Sequence, residues 1–135
     1  MDCFRISVIV PCHNYGHYLA ECLISILEQT RKPDEIVVVD DSSQDTTREV
    51  ALQFAEKGVR YIRAEFNDPL ATRRLGARIS SGDILCFIDA DDYIDSTCEY
   101  YISSYPSVAF DPSIMVLIDL FQTLRRTKPR ALPLA

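Results

Sequence analysis

The sequence predicts an α/β fold with a mostly parallel, doubly wound sheet flanked by helices, and three observations support this prediction. The chain has 135 residues, of which 47% are hydrophobic and 25% charged, an ordinary globular composition with enough chain for one domain. Short apolar runs rich in β-branched residues alternate with segments of helical periodicity. Because these runs are nearly continuous in apolar character, they are typical of strands covered on both faces.

Four apolar runs predict the first four strands. They cover Ile6–Val10, Glu35–Val39, Val59–Arg63 and Ile84–Ile88. Pro11 is expected to end the first run, because proline cannot donate a hydrogen bond to a neighbouring strand. With right-handed crossovers between them, such strands give the doubly wound arrangement.

Helices are predicted between these strands. The first has an apolar stripe at the spacing i, i+3, i+4, i+7 and i+8, formed by Leu19, Cys22, Leu23, Ile26 and Leu27. The second begins with capping-box spacing at Thr46 and Glu49 and ends at Gly58. A weaker helical pattern passes through Leu75 and stops at Gly82.

The remainder of the chain differs in character. We expect a short helix over Ser96–Tyr105 and a fifth strand over Ser107–Phe110. The pair Asp111–Pro112 then suits the start of an amphipathic helix. Its apolar stripe consists of Ile114, Leu117, Ile118, Phe121 and Leu124. Residues 1–110 are therefore predicted to form the domain, and residues 111–135 a divergent C-terminal helix or tail.

Net charge excludes one class of partner. The 14 Lys and Arg residues against 20 Asp and Glu give a formal charge of −6, which argues against a nucleic-acid binder. The longest apolar run, Ile114–Leu120, is shorter than the roughly 18 residues of a membrane span. The N-terminal residues lack the basic region of a signal peptide. We therefore expect a cytoplasmic protein, with peripheral association at a membrane left open.

Cysteine usage agrees with a reducing compartment. The five cysteines are odd in number and form no C-x-x-C pair, so neither a disulfide framework nor a zinc site is predicted. Cys22 and Cys86 lie inside apolar patterns and are expected in the core.

Polar residues collect where three of the predicted strands end. These clusters are Pro11–Gly16, Asp40–Asp45 and Asp89–Asp92. Because the carboxyl ends of parallel strands share one edge of a sheet, the three clusters should converge there. Carboxylates so close together repel one another, and Mg²⁺ or Mn²⁺ would neutralise them while also binding phosphate. Taken singly, these acids have structural alternatives: Asp45 can cap a helix, and Asp92 or Asp95 can begin the next one.

Several nucleotide- and phosphate-binding classes do not fit. No G-x-G-x-x-G follows the first strand, and no G-x-x-x-x-G-K-[ST] occurs. A haloacid-dehalogenase-like phosphatase uses D-x-D-x-T, but this chain has Tyr93 at the fifth place. A receiver domain places its acid pair after the first strand, where this chain has Pro11. What remains is a nucleotide site in which acidic side chains bind the base or the sugar, and a metal ion binds the phosphates.

Short motifs follow one another in a fixed order through this part of the chain. They are Ser7-Val8-Ile9-Val10-Pro11 with Asn14, then Leu19, Cys22-Leu23, Ser25-Ile26-Leu27, Gln29-Thr30, Pro33, Glu35-Ile36, Val38-Val39-Asp40-Asp41-Ser42-Ser43, Asp45, Thr46, Gly76, Ser81-Gly82-Asp83 and Phe87-Ile88-Asp89-Ala90-Asp91-Asp92. In this order they resemble the N-terminal, nucleotide-sugar-binding half of a family 2 glycosyltransferase with the Rossmann-like GT-A fold. The resemblance covers roughly residues 5–110 and implies a fold truncated after the D-x-D motif.

The resemblance implies a nucleoside pocket and a base contact. Pro11 and the residues that follow it, including Asn14, would line the pocket for the nucleoside. Asp41 would accept a hydrogen bond from the base, typically uracil.

It also implies a site for the diphosphate and a cation. Asp89 and Asp91 form the D-x-D motif, whose acids hold the ribose hydroxyls and a divalent metal, Mn²⁺ or Mg²⁺. Asp91 is the first choice as metal ligand, and Asp92 can take its place. Arg73 matches an arginine near the donor site, with a solvated helix face as its alternative. The sequence Thr72-Arg73-Arg74 departs here from the Ala-Arg-Asn common in the family.

The implied reaction is inverting transfer of a sugar from a UDP-sugar to a hydroxyl of a saccharide or lipid-linked acceptor. The catalytic base cannot be named, because no glutamate follows Glu99 and the later acids, Asp111 and Asp119, each have a structural explanation. The alternative is a truncated or degenerate donor-binding module without transferase activity. A homo-oligomer formed through the C-terminal helix is a further hypothesis.

Overall fold

The computed structural model describes residues 5–96 and the backbone of residues 116–119. Its strands form one sheet and are β1 (Ile6–Cys12), β2 (Glu35–Asp41), β3 (Val59–Ala64), β4 (Ile84–Phe87) and β5 (Val116–Asp119). Their order is β3-β2-β1-β4-β5, and every neighbouring pair is parallel. The parallel α/β architecture predicted from the sequence is therefore confirmed.

Helices cover both faces of this sheet. They are α1 (Gly16–Leu27), α2 (Thr47–Leu52), α3 (Pro69–Ile79) and a short 3₁₀ helix over Ala55–Lys57. One core cluster joins α1 and α2 to the sheet through residues that include Val8, Val10, Val38, Cys86, Leu19, Leu23 and Ala51. The other joins α3 to the opposite face through Ile9, Val37, Val39, Leu85, Phe87, Leu75 and Ile79. Since successive strand residues point to opposite faces, the continuous apolar runs supply both clusters at once.

The strand order reverses direction beside β1. β2 and β3 lie on one side of β1, and β4 and β5 lie on the other. In open α/β sheets, ligands bind in the crevice outside the carboxyl ends of the strands at such a switch point. The loops that leave β1 and β4 therefore flank the expected binding crevice.

The first strand continues beyond its predicted end, because Pro11 lies within it. Pro11 pairs with Val39 of β2, and Cys12 pairs with Asp40. The carbonyl of Ile9 accepts a hydrogen bond from the amide of Ile88, so alternate residues of β1 direct their backbone groups toward β4. Pro11 lies on that side too, past the last β1–β4 pair, where its missing N–H costs no ladder hydrogen bond.

The predicted capping box of the second helix is not formed. The side chain of Thr46 makes no capping hydrogen bond. Oδ1 of Asp45 instead accepts a hydrogen bond from the amide of Thr47 at 2.9 Å, which is the structural role considered for that acid. The predicted continuous helix to Gly58 is wrong, because α2 ends at Leu52 and a separate 3₁₀ helix follows over Ala55–Lys57. Gly58 ends that 3₁₀ helix, and its φ of 89° is left-handed and favours glycine.

The helix predicted after Phe110 is wrong at Val116–Asp119, which form β5. This strand pairs with β4, for example at Leu85 and Leu117. A short apolar run does not distinguish helix from strand by periodicity, and the edge of β4 offers backbone partners that a strand can use. A homo-oligomer contact through a helix therefore has no basis at these four residues.

Some predictions lie outside the described residues. These are the helix continuing from Ser96 to Tyr105 and the strand over Ser107–Phe110. The division into residues 1–110 and 111–135 stays a prediction. Of the helices that the structure does describe, none has both the length and the apolar character needed to span a bilayer. Cys22 and Cys86 are buried in the core, as predicted.

A glycine sets how closely α3 approaches the sheet. A Cβ atom at Gly76 would lie in steric conflict with Cγ2 of Ile9 and 3.4 Å from Cγ2 of Val39. Both side chains are fully buried in β1 and β2. The backbone of α3 therefore packs directly on the strand side chains at this point.

We expect Gly76→Ala to lower the free energy of unfolding by roughly 1–2 kcal/mol, because overpacking outweighs the gain of about 1 kcal/mol in helix propensity. Urea denaturation followed by circular dichroism measures the change. Arg74→Ala, at an exposed position of the same helix, serves as control and should change stability little. Equal or greater stability of Gly76→Ala would contradict the close packing.

Candidate functional site

A cleft of about 560 Å³ opens at the carboxyl ends of β1, β2 and β4. Its walls come from the loops after these strands and from the start of α3. They consist of Pro11, Cys12, His13, Tyr15, Asp41, Asn67, Asp68, Pro69, Thr72, Arg73, Asp89, Ala90 and Asp91. The volume and position are those of a small-molecule site in an open α/β sheet.

Three carboxylates cluster where the chain leaves β4. Carboxylate oxygens of Asp89, Asp91 and Asp92 lie within 4.8 Å of one another. A turn brings them together, in which the amide of Asp92 donates to the carbonyl of Asp89 at 3.0 Å. Several hard oxygen donors at this spacing fit Mg²⁺ or Mn²⁺, because both ions prefer carboxylate ligands and accept phosphate oxygens beside them.

The positively charged side chain of Arg73, in α3, lies beside this cluster. Nη2 of Arg73 is 3.0 Å from Oδ1 of Asp89, and its guanidinium group lies over the ring of Phe87 at 5.6 Å. The side chain is therefore directed into the cleft and does not lie on a solvated helix face. Its planar fork of donors suits phosphate oxygens as well as carboxylate.

Asp41 is almost fully buried, and its carboxylate organises one wall of the cleft. It accepts five hydrogen bonds, from the amides of Phe66, Asn67 and Asp68 and from the hydroxyls of Ser42 and Thr72, at 2.8–2.9 Å. Burial opposes ionisation, but these donors hold the pKa of the Asp41 carboxyl well below its usual range.

Those five donors exceed the roughly four lone-pair sites that a carboxylate offers. A hydrogen bond from Asp41 to a nucleotide base, as the resemblance implied, would have to displace one of them. The geometry gives this acid a structural role: it fixes the loop and the first turn of α3 that together form one wall of the cleft.

The neighbouring acid in β2 is also paired within the protein. Asp40 is fully buried and accepts hydrogen bonds from the amide of Ser43 and the hydroxyl of Tyr61, with Arg63 at 3.4 Å. Burial and the bond to Asp40 raise the pKa of Tyr61 to about 12. Asp40 therefore joins β2 to β3.

Asp45 joins two helix starts. One oxygen accepts from the amide of Thr47 and the other from the amide of Gly16, each at 2.9 Å. Burial opposes ionisation, but these bonds and the Thr47 hydroxyl lower the pKa of Asp45. The expectation that a cation must neutralise the whole acidic rim is therefore wrong for the β2 acids, because protein donors already stabilise their charge.

His13 and Asn14 join the first loop to the second. Nδ1 of His13 lies 2.6 Å from the carbonyl oxygen of Asp41, which can only accept, so the proton is on Nδ1. The amide of Asn14 donates to Oγ of Ser43, and Oδ1 of Asn14 accepts from the amide of Gln44, both at 2.8 Å. His13 lines the cleft, whereas Asn14, a predicted site residue, is not among the residues that line it.

The structure brings most of the predicted site residues together. Those at the cleft are Pro11, Asp41, Arg73, Asp89 and Asp91, and Asp92 belongs to the adjoining acidic cluster. The wall formed by Asn67, Asp68 and Pro69 was not predicted. The sequence feature that could have indicated this wall is the Asp-Pro pair at the start of α3. In the structure, Asp68 caps that helix by accepting a hydrogen bond from the amide of Leu70.

Comparisons with known proteins agree with this geometry. Residues 7–100 match the family model described as Glycosyl transferase family 2. The chain is 43% identical over 93 residues to glycosyltransferase GlyA of Streptococcus pneumoniae, covering 67% of this chain and 13% of that protein. It is 32% identical over 105 residues to UDP-Glc:alpha-D-GlcNAc-diphosphoundecaprenol beta-1,3-glucosyltransferase WfgD of Escherichia coli, covering 76% of this chain and 42% of that protein.

Solved structures show the same fold. S. aureus TarS 1-349 in complex with UDP has 30% sequence identity and a TM-score of 0.68, covering 73% of this chain and 31% of that 1-349 chain. Mannosyltransferase PcManGT from Pyrobaculum calidifontis in complex with GDP-Man and Mn²⁺ has 30% identity and a TM-score of 0.63, covering 67% of this chain and 28% of that one. The chain thus spans less than half the length of each of these relatives.

We expect Asp41→Asn to lower the free energy of unfolding at pH 7 by roughly 2–4 kcal/mol, because buried donors lose a charged acceptor. The folded-state pKa of Asp41 lies below the unfolded value of about 3.9, so its contribution is complete above that value and lost as the pH falls. Urea denaturation between pH 7 and pH 2.5 should therefore show a weaker acid dependence in the variant.

Glu56→Gln is the matched control, since it removes one carboxylate charge from an exposed position. Its unfolding free energy should follow the wild-type values across the pH range. An Asp41→Asn protein as stable and as acid-sensitive as wild type would contradict the structural role of this carboxylate.

Proposed function

Because the chain belongs to glycosyl transferase family 2, we propose that it binds a UDP-sugar through a divalent cation for inverting transfer of the sugar to an acceptor hydroxyl. The observation that carries the proposal is the cluster of Asp89, Asp91 and Asp92 beside Arg73, on a cleft at the carboxyl ends of the strands. Acids alone would repel a diphosphate, so the cluster and the anion require a cation between them.

Asp91 and Asp92 are the residues we propose as ligands of Mn²⁺ or Mg²⁺. A bound cation would supply positive charge that stabilises the departing nucleoside diphosphate. Asp89 lies next to Arg73, which places a carboxylate for sugar hydroxyls and a guanidinium for phosphate oxygens side by side. The Mn²⁺ in the PcManGT complex supports this assignment by analogy.

Other residues that line the cleft suit the nucleoside. They include Pro11, His13 and Tyr15, together with Asn67 and Asp68. Aromatic rings favour stacking against a flat base. The UDP complex of TarS supports uridine as the nucleoside, while GDP-Man in PcManGT is the competing possibility.

The acids that line the described part of the cleft leave the catalytic base unassigned. Asp41 and Asp68 accept hydrogen bonds from backbone amides, and Asp89 and Asp91 belong to the proposed cation site. General-base catalysis needs a carboxylate within reach of the acceptor hydroxyl. This observation favours, as a second candidate, a donor-binding module without transferase activity.

We expect UDP with Mn²⁺ to raise the melting temperature by several degrees, because ligand at a hundred times its Kd adds about 2.7 kcal/mol to stability. The shift should need Mn²⁺ and should be lost in Asp91→Asn. Differential scanning calorimetry or fluorimetry with UDP, GDP and neither nucleotide measures it, and UDP should act at lower concentration than GDP.

Glu56→Gln again provides the charge-matched control and should respond to UDP and Mn²⁺ as wild type does. A chain that unfolds cooperatively but gains no stability from either nucleotide would overturn the proposed donor site. Adding a UDP-sugar then separates the two candidates, because only a transferase or a donor hydrolase releases UDP.

A further inference from the structure

The chain on both sides of the acidic cluster is held by the second half of α1. At the entrance to the loop, Sγ of Cys22 donates to the carbonyl of Asp89 at 3.6 Å. At its exit, the amide of Ile94 donates to Oγ of Ser25 at 3.1 Å. Both bonds come from the same face of the helix, one turn apart.

Gln29 and Thr30 extend this contact beyond the end of α1. Nε2 of Gln29 donates to the carbonyls of Ser25 at 3.0 Å and Asp95 at 2.6 Å. The amide and hydroxyl of Thr30 donate to the carbonyl of Ser96, at 2.7 Å and 3.1 Å. The side chain of Gln29 is only 2% exposed and does not line the cleft, so its amide acts on the backbone after the acidic cluster.

Core packing reinforces these hydrogen bonds. Ala90 and Ile94 are both buried in the cluster that contains α1. Between the fixed carbonyl of Asp89 and the fixed amide of Ile94 lie only four residues, and two of them carry the carboxylates of Asp91 and Asp92. A loop this short, with both ends held, has few backbone conformations, so the directions of its side chains are set by its anchor points.

We propose that Gln29 and Ser25 are positioning residues, which hold the loop of Asp89, Asp91 and Asp92 in the geometry that binds a divalent cation and a nucleoside diphosphate. This inference rests on the proposed function. It gives a role to Ser25 and Gln29, whose positions in the sequence motif the donor cleft itself does not explain. Substitution of residues that orient metal ligands without binding the metal themselves commonly lowers metal affinity by 10–100-fold.

The variant Gln29→Met tests the proposal, because methionine keeps the length of the side chain and removes the donor to Asp95. Calorimetric titration of UDP into the full chain at fixed Mn²⁺ should show an apparent Kd raised at least tenfold. Without Mn²⁺ the variant and wild type should bind UDP equally weakly, since the nucleoside wall is untouched and the cation is missing from both. Ser25→Ala, which removes the acceptor for Ile94, should act in the same direction.

A second readout needs no nucleotide. In both variants, amide hydrogen exchange at Asp92 and Ile94 should be faster than in wild type, because the anchored end of the loop opens more often. Ile26→Val is the matched control: it removes one methyl group from a fully buried side chain of the same helix and leaves the contacts to residues 94–96 in place. It should keep wild-type exchange at those amides and wild-type Mn²⁺-dependent binding.

The outcomes separate the two proposals. If wild type binds UDP with Mn²⁺ and both variants bind as tightly as Ile26→Val, the positioning role is wrong and the donor site stands. If wild type binds no UDP with or without Mn²⁺, the proposed function fails, and the positioning role fails with it.

Discussion

The buried carboxylate of Asp41 is the interaction on which the arrangement of the cleft depends. It lies at the end of β2 and accepts hydrogen bonds from three successive backbone amides and the hydroxyl of Thr72. These contacts fix where α3 begins. The residue after Thr72 in that helix is Arg73, whose side chain contacts Asp89. The carboxylate of Asp41 therefore determines, through the first turn of α3, where Arg73 contacts the acidic residues that follow β4.

That arrangement also shows how an acidic protein tolerates several carboxylates along one edge of its sheet. Backbone amides, hydroxyls and an arginine stabilise the charges of Asp40, Asp41 and Asp45. Burial removes these carboxylates from water, and their hydrogen bonds offset that loss of solvation. Asp89, Asp91 and Asp92 are the acids that remain as candidate ligands of a cation. The protein thus uses its acids for two purposes, as anchors in and after β2 and as candidate ligands after β4.

The sequence predicts those parts of the fold and the site that depend on the type of side chain at each position. The strands and both faces of the core follow from continuous apolar runs such as the one around Ile9, and the convergence of polar clusters follows from parallel topology. Three of the five hydrogen-bond donors to Asp41 could not be predicted, because they are backbone amides, which have no sequence signature. The strand at Val116–Asp119 was missed for a related reason, since its pairing depends on the open edge of β4 and not on its own periodicity.

Contacts from both faces of the sheet meet at the exit of β4. From one face, Arg73 of α3 contacts Asp89. From the other, Ser25 of α1 and Gln29, just beyond the end of α1, contact the backbone that follows. Because Ile94 is buried in the α1 core, movement of the acidic loop would break core packing as well as hydrogen bonds. The backbone that carries these carboxylates is thus held from both faces of the sheet, so the proposed cation would meet a cluster whose geometry is already set.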